Sequence, residues 1–405
     1  MELIKDTPLE VAWRVWQARP PRPSLTVVVK ATYELVPEGE CTLAQEQAFP
    51  SGDEHFDGDP ERSLRYANDL EPLKPRGECF VVGSFHAPGG RPVAQSRVSI
   101  QIGPVRKQLA IFGERHWQLG RASEPSPTAE VPLTWENAFG GPGFEANPAG
   151  KGLGKSEVEG KQAILLPQIE DPTRPIGSRD ARPAPMGCAP LPRTWRARMA
   201  LAGTYDARWK AERYPWFPAD LDWEHFNAAP RDQRIGGFFR GDEDIELLNL
   251  HKKYSKIACR LPGLMPRALL TPKIGDAREL GLRLDTITVD TDQSLIFVVW
   301  RAVTEIDDHK LDTLESLYVA HDHIGSPRDE MELRGALASA LLGKEEEEQA
   351  AEPEEPGQGL APDAPGARWA HLDQAMTIRG DDAALQAALA QARAEKSGLL
   401  KPIFD

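Results

Sequence analysis

The chain has 405 residues, of which 40% are hydrophobic, 36 are proline and 34 are glycine. Such a length can bury a large core, and so many strand- and turn-punctuating residues argue against an all-helical fold. A formal net charge of −14 repels phosphate backbones, so nucleic acid is not expected as a main partner.

Residues 24–35 (SLTVVVKATYEL) are β-branched and partly alternating, which predicts a strand with one face on a core. The proline-rich stretch 18–24 before it reads as a connector. Acidic, glycine-containing residues 51–60 form a loop leading into a basic-aromatic one that carries Leu64-Arg65-Tyr66 and Lys74-Pro75-Arg76. Then come a strand over 79–85, a turn at Pro88-Gly89-Gly90 and two short alternating runs, 98–102 and 108–112, spaced as in hairpins. Residues 121–193 lack apolar periodicity and predict long ordered loops, held by Trp135, Phe139, Phe144 and, just beyond, Trp195.

Further on, Asp206 is placed to cap a short helix over 206–213, stopped before Pro215. Strands are predicted at 245–250, 256–261, 283–289 and 294–303, the last two joined by a turn at 290–293. Ser326 and Pro327 suit the first positions of a helix running to Leu342. Residues 344–366 (KEEEEQAAEPEEPGQGLAPDAPG) can bury almost nothing and read as a flexible linker. The tail, 367–405, contains a possible amphipathic helix over 382–396.

The fold class expected is mainly β (α+β): a large β-sandwich-like body over 1–343 with long ordered loops and a few short helices. Two packed β subdomains, about 1–140 and 195–343 with a loop-rich region between them, would account for the strand distribution. Met1 is followed by Glu2, Lys5 and Asp6 rather than by a basic and then apolar leader, and no apolar run of about 18 residues occurs. The expectation is a soluble cytoplasmic protein without a membrane partner.

Signs of chemistry are weak. Residues 150–156 (GKGLGKS) suggest a phosphate-binding loop, but that motif needs glycine where Ala149 stands, so a flexible turn is the better reading. His321-Asp322-His323 sets two imidazoles on one side of a strand without an evident third ligand. Cys41, Cys79, Cys188 and Cys259 are too widely spaced for a zinc knuckle or a redox motif and read as reduced thiols. Ser84 and His86 lack an oxyanion-hole loop and no GxSxG elbow occurs. Asp57 with Asp59, and Asp242 with Asp244, read as loop charges rather than glycosidase carboxylates. No catalytic residue, cofactor or metal is expected, and no enzyme.

Two groups look more informative. Arg174, Arg179, Arg182, Arg193, Arg196 and Arg198 suit carboxylates, within the fold or on a protein partner. Tyr205, Trp209, Tyr214, Trp216, Phe217, Trp223 and Phe226, with Arg208 and Arg213, are of the types that dominate binding hot spots, with core packing as the alternative.

The stretches MELIKDTPLEVAW at the start, WENAFGG at 135–141, NPAGKG at 147–152, LAGTYDARW at 201–209 and FNAAPRDQ at 226–233, with the basic-aromatic loop and the strands after it, resemble the domain of unknown function family 2169 up to about residue 343. That resemblance implies a cytoplasmic adaptor or chaperone that binds a type VI secretion effector, a PAAR-like toxin, and helps load it onto a VgrG-type spike. The contact candidates are Arg65, Tyr66, Lys74, Arg76, Tyr205, Arg208, Trp209, Arg213, Trp216, Trp223 and Phe226. The alternative from another class is a carbohydrate-active β-sandwich enzyme or lectin, where tryptophan-rich loops and acidic residues are also usual.

Overall fold

The computed structural model describes residues 1–20, 22–158, 161–306 and 311–351. The tail at 367–405, its helix and most of the expected linker lie outside them. Met1–Leu341 form one compact unit, and the fold is mainly β.

Its first sheet has five strands in the order Glu10–Arg19, Arg22–Glu34, Leu295–Glu305, Arg283–Asp290 and Glu78–Val82. Neighbours are antiparallel except for the last pair, which is parallel. The second has six strands: Ile169–Glu170, Val105–Phe112, Gln95–Ile102, Asp244–Leu248, Lys256–Arg260 and Glu38–Glu40. The third has four: Glu2–Asp6, Leu314–His323, Leu264–Pro272 and Arg278–Leu280.

Successive strand side chains point to opposite faces, so the β-branched run at Val27, Val29 and Ala31 delivers every second residue to the core. There they meet Val98, Ile100 and Leu109 of the second sheet and Ala268, Leu317 and Val319 of the third in one continuous cluster. A single core corrects the division into subdomains 1–140 and 195–343. Strands from both halves are neighbours in each of these three sheets, as with Arg22–Glu34 beside Leu295–Glu305, Gln95–Ile102 beside Asp244–Leu248, and Glu2–Asp6 beside Leu314–His323. Neither half has an apolar face of its own to close upon.

Other boundaries shift for local reasons. The strand expected over 79–85 breaks at Gly83, where φ is +135° and a Cβ would lie 2.1 Å from Thr291 Oγ1. Only glycine fits there. The chain then leaves the first sheet, and Ser84–His86 pairs with Glu130–Pro132 instead. The connector expected at 18–24 is largely strand, since Pro23 lies where its carbonyl serves as acceptor, 3.0 Å from the Ile306 N–H, and no donor is asked of it.

The last helix, Glu330–Ala351, starts later than expected. Asp329, not Ser326, is the cap: Asp329 Oδ1 accepts from Glu332 N, and Glu332 Oε2 from Asp329 N, both at 2.8 Å, a reciprocal capping box. The helix also passes Gly343 into residues read as linker, because the Ala, Glu and Gln that follow are good helix formers and one glycine costs only about 1 kcal/mol. Leu333 and Leu337 dock it onto Ile4, Leu269, Tyr318 and Ala320.

Candidate functional site

The first sheet is buried on both faces. Its face away from the core carries Thr26, Lys30, Thr32, Thr286, Thr288 and Arg301, all buried, beneath a cover made by the loop between Glu34 and Glu78 and by residues 187–234. Burying charge requires pairing, and the cover supplies it. Lys30 Nζ lies 2.7 Å from Asp69 Oδ2. Arg301 Nε reaches Asp285 Oδ2 at 2.7 Å, while its Nη1 donates to the carbonyls of Asp69 and Glu71. Glu71 in turn receives Arg198 at 3.1 Å and Arg193 at 2.8 Å.

Three contact candidates belong to this internal layer. Lys74 is buried, 2.8 Å from Glu78 Oε1 and 2.7 Å from Thr286 Oγ1. Burial alone would raise the Glu78 carboxyl, but the Lys74 ammonium and the Ala229 N–H outweigh it and hold the group below the usual range. Arg65 and the Tyr66 hydroxyl both bind Oδ2 of the fully buried Asp290, whose other oxygen accepts from Gln293 N at 2.8 Å. Burial and that carboxylate push the Tyr66 hydroxyl far up. Lys74 is therefore no surface contact, and Arg65 Nη2 and the Tyr66 hydroxyl fasten the loop to Asp290 at the end of the strand Arg283–Asp290, where the turn begins.

The aromatic group divides in two. Trp16 of the first sheet packs its ring against Phe217 at 5.6 Å and Trp223 at 5.9 Å, and Phe226 lies 5.8 Å from Phe217. Phe226 is buried and Trp223 half-buried, so these are fold determinants. Trp216 is half-buried too and offers its carbonyl to Trp209 Nε1 at 2.9 Å. Arg213 Nε donates to the Phe217 carbonyl at 3.1 Å. Arg76 pairs with Glu224, which also takes Arg234.

What remains outside is an array centred on Trp209. Tyr205 and Tyr214 stand edge-on to it at 4.7 and 5.8 Å, and are 48% and 69% exposed. Arg208, paired with Glu212 at 3.0 Å, lies alongside. The array is fixed from below: Asp206 Oδ1 caps the helix Ala207–Glu212 by accepting from Trp209 N at 2.7 Å. Tyr214 is the member that a reading of contact candidates by motif leaves out; its place next to Pro215, beyond the helix end, is the signal.

Three of the motifs that carry the resemblance prove structural. In WENAFGG, Glu136 accepts from Ser63 N and Oγ at 2.7 and 2.6 Å, and Trp135 meets Trp195 edge-on at 5.7 Å. In NPAGKG, buried Asn147 donates to the carbonyls of Trp135 and Phe139. A Cβ on Gly150 would come within 2.7 Å of the Ala138 carbonyl. The stretch is thus a fixed knot rather than a flexible turn, and Lys151 Nζ is occupied by Asn137 Oδ1 and Gln168 Oε1 at 2.8 and 3.2 Å. In FNAAPRDQ, Asn227 donates to the Arg76 carbonyl and Gln233 to those of Cys79 and Cys188. Burial pushes the Cys79 and Cys188 thiols up, Cys188 to about 12.

Several of the other charged groups are also paired within the chain. Asp322 is held by Arg267 and Arg328 at 2.8 and 2.6 Å, Asp57 pairs with Arg62, and Asp242 with Arg240 and Arg260. Of the arginines grouped at 174–198, Arg193, Arg196 and Arg198 bind carboxylates within the chain. A shallow concavity of about 370 Å³ lies over the strands Gln95–Ile102 and Val105–Phe112 and is lined in part by Ser99, Gln101, Arg106 and Gln108. No helix among the described residues is long and apolar enough to cross a membrane.

Comparison with known proteins agrees with the motif pattern. No curated protein and no solved structure is a match for the chain. The family described as an uncharacterised protein conserved in bacteria, DUF2169, matches over residues 21–301, which takes in the first sheet apart from the strand Glu10–Arg19 and the end of Leu295–Glu305, together with its cover and the motif knot. The chain belongs to the DUF2169 family.

Proposed function

We propose that this protein is a non-enzymatic cytoplasmic adaptor that binds a type VI secretion effector, a PAAR-like toxin, and helps load it onto a VgrG-type spike. The motifs shared with the family support the reading, and one observation carries it. Exposed Tyr205 and Tyr214 stand edge-to-face on half-buried Trp209, next to exposed Arg208, on a segment bolted to the first sheet through Trp16, Phe217 and Trp223. Rigid aromatic anchors offered to solvent, with little entropy left to lose, are what a protein partner buries most profitably. The double substitution Tyr205→Ala/Tyr214→Ala removes two exposed rings and touches no core contact. It should cut recovery of the effector with the tagged chain about tenfold or more while leaving thermal unfolding unchanged; undiminished recovery would rule the array out as the contact.

A second reading, a lectin or carbohydrate-active enzyme, draws on the concavity lined by Ser99, Gln101, Arg106 and Gln108, whose hydroxyl, amides and guanidinium suit a polar ligand. Specific, saturable binding in a glycan-array screen, lost in Arg106→Ala, would favour it over the adaptor.

A further inference from the structure

The edge of a sheet presents a row of unpaired backbone N–H and C=O groups, and proteins blunt such edges by shortening or covering them. Most edges of the three sheets are short: Glu2–Asp6, Ile169–Glu170, Glu38–Glu40 and Arg278–Leu280 run to five residues at most. Glu78–Val82 is covered, with Val81 N on the Cys188 carbonyl at 3.2 Å and Gln233 Nε2 on the Cys79 carbonyl at 2.8 Å. Glu10–Arg19 is neither. It has ten residues, none of them proline or lysine, and its pairing with Arg22–Glu34 stays regular from Glu10 to Trp16.

The neighbouring strand settles which of its backbone groups face outward. Leu35 N bonds the Ser294 carbonyl, on the side of Leu295–Glu305, whereas Thr32 donates to Gln47 Oε1 and accepts from Ala44 N on the opposite side. Backbone groups alternate along an antiparallel strand, so Lys30, Val28, Thr26 and Ser24 turn toward their partners Glu10, Ala12, Arg14 and Trp16. Val11, Trp13 and Val15 lie between those partners and turn their N–H and C=O groups away from the sheet. No described residue hydrogen-bonds to them, while the next in the series, Gln17, has its carbonyl taken by Phe217 N at 3.2 Å.

Groups spaced in this way are matched by the backbone of another extended strand, and the side chains specify which one. Set antiparallel about a two-fold axis at Trp13, the strand complements itself. Trp13 faces its own copy and Val11 faces Val15, each pair exchanging both backbone bonds. These are aromatic and β-branched pairs of the kind that stabilise sheets, and Trp13 and Val15 are half-buried against the core at that edge. On the other face Glu10 falls diagonal to Arg14 of the second copy, which sets opposite charges within reach of long side chains. We propose that the chain pairs with a second copy of itself through Glu10–Arg19, joining the two first sheets into one. The net charge of −14 opposes approach, but salt of physiological strength screens it beyond about 8 Å. The pairing does not depend on the adaptor reading.

The test is the mass of the purified chain by sedimentation across a concentration series, for wild type, Val15→Pro and Val15→Thr, with hydrogen exchange over residues 10–17 and thermal unfolding measured in parallel. Proline at this position deletes an outward N–H and no bond to Arg22–Glu34, whereas threonine keeps the N–H. Wild type and Val15→Thr should double in mass as concentration rises, with exchange over 10–17 slowing as they do. Val15→Pro should melt close to wild type yet need about tenfold more protein, or greater, to pair. A wild-type chain of single mass throughout, a doubled mass with unchanged exchange over 10–17, or a Val15→Pro chain that pairs as readily as wild type would each overturn the proposal. If Val15→Pro does not fold, the exchange of wild type decides alone. Protection of 10–17 in a single chain carrying a different bound protein would assign the edge to that protein and overturn the self-pairing.

Discussion

Glu78 shows at the scale of one residue how this protein handles buried charge. Its carboxylate is enclosed on all sides and survives because Lys74 and the Ala229 N–H meet it. The folded-state pKa is depressed below the ordinary 4.5, so the group adds stability above that value and loses it as pH falls through the lower folded one. Glu136 and Asp322 are depressed too: burial opposes both, and it is outweighed by the Ser63 hydroxyl on Glu136 and by Arg328 on Asp322. Urea midpoints should therefore decline gently below about 6.5, where burial holds His225, His251 and His321 below the usual imidazole range, and drop steeply below about 4.5. Lys74→Met leaves Glu78 buried and unpaired, at a cost of about 3–5 kcal/mol at neutral pH; burial then favours the protonated carboxyl, so part of that cost should be recovered as pH falls, opposite to the wild-type trend. A Lys74→Met profile lying on the wild-type curve would contradict this assignment. Composition makes Lys74, Arg65 and Tyr66 read as surface contacts because their partners are remote: Thr286 is 212 residues from Lys74, and Asp290 is 225 from Arg65. No local pattern announces such a pairing.

Elements are legible where their signal is local and obscure where it depends on a distant neighbour. Alternation at residues 98–102 and 108–112 identifies the strands Gln95–Ile102 and Val105–Phe112 because every second residue must reach the core. The Asp206 cap is equally plain, since the bond it makes is to a residue three positions on. The break at Gly83 is not, because Thr291 imposes it. The start of the last helix could have been found: Asp329 and Glu332 spell a capping box, and Ser326-Pro327 distracts from it. That helix is held by few side chains, so Leu333→Ala should cost about 2–4 kcal/mol and speed hydrogen exchange across residues 330–341 more than elsewhere. Exchange as slow as in wild type would show that the helix does not depend on Leu333 for its place.

At the scale of the molecule, all three sheets drain into one core, and the polar cover of the first sheet ties segments far apart in sequence to each other. This division of labour explains why the exposed array was only half legible. Hot-spot residue types mark the stretch 205–226, but composition cannot separate Trp223 and Phe226, which pack behind Trp16, from Tyr205 and Tyr214, which are exposed against half-buried Trp209. A scaffold so strongly cross-tied offers a preformed surface, and preformed surfaces bind without paying for their own ordering. The most direct test is purification of the tagged chain from its native host at moderate salt, followed by mass spectrometry of what remains bound. The adaptor reading predicts one toxin-like effector in stoichiometric amount, with or without a spike protein; a chain that emerges alone would contradict it.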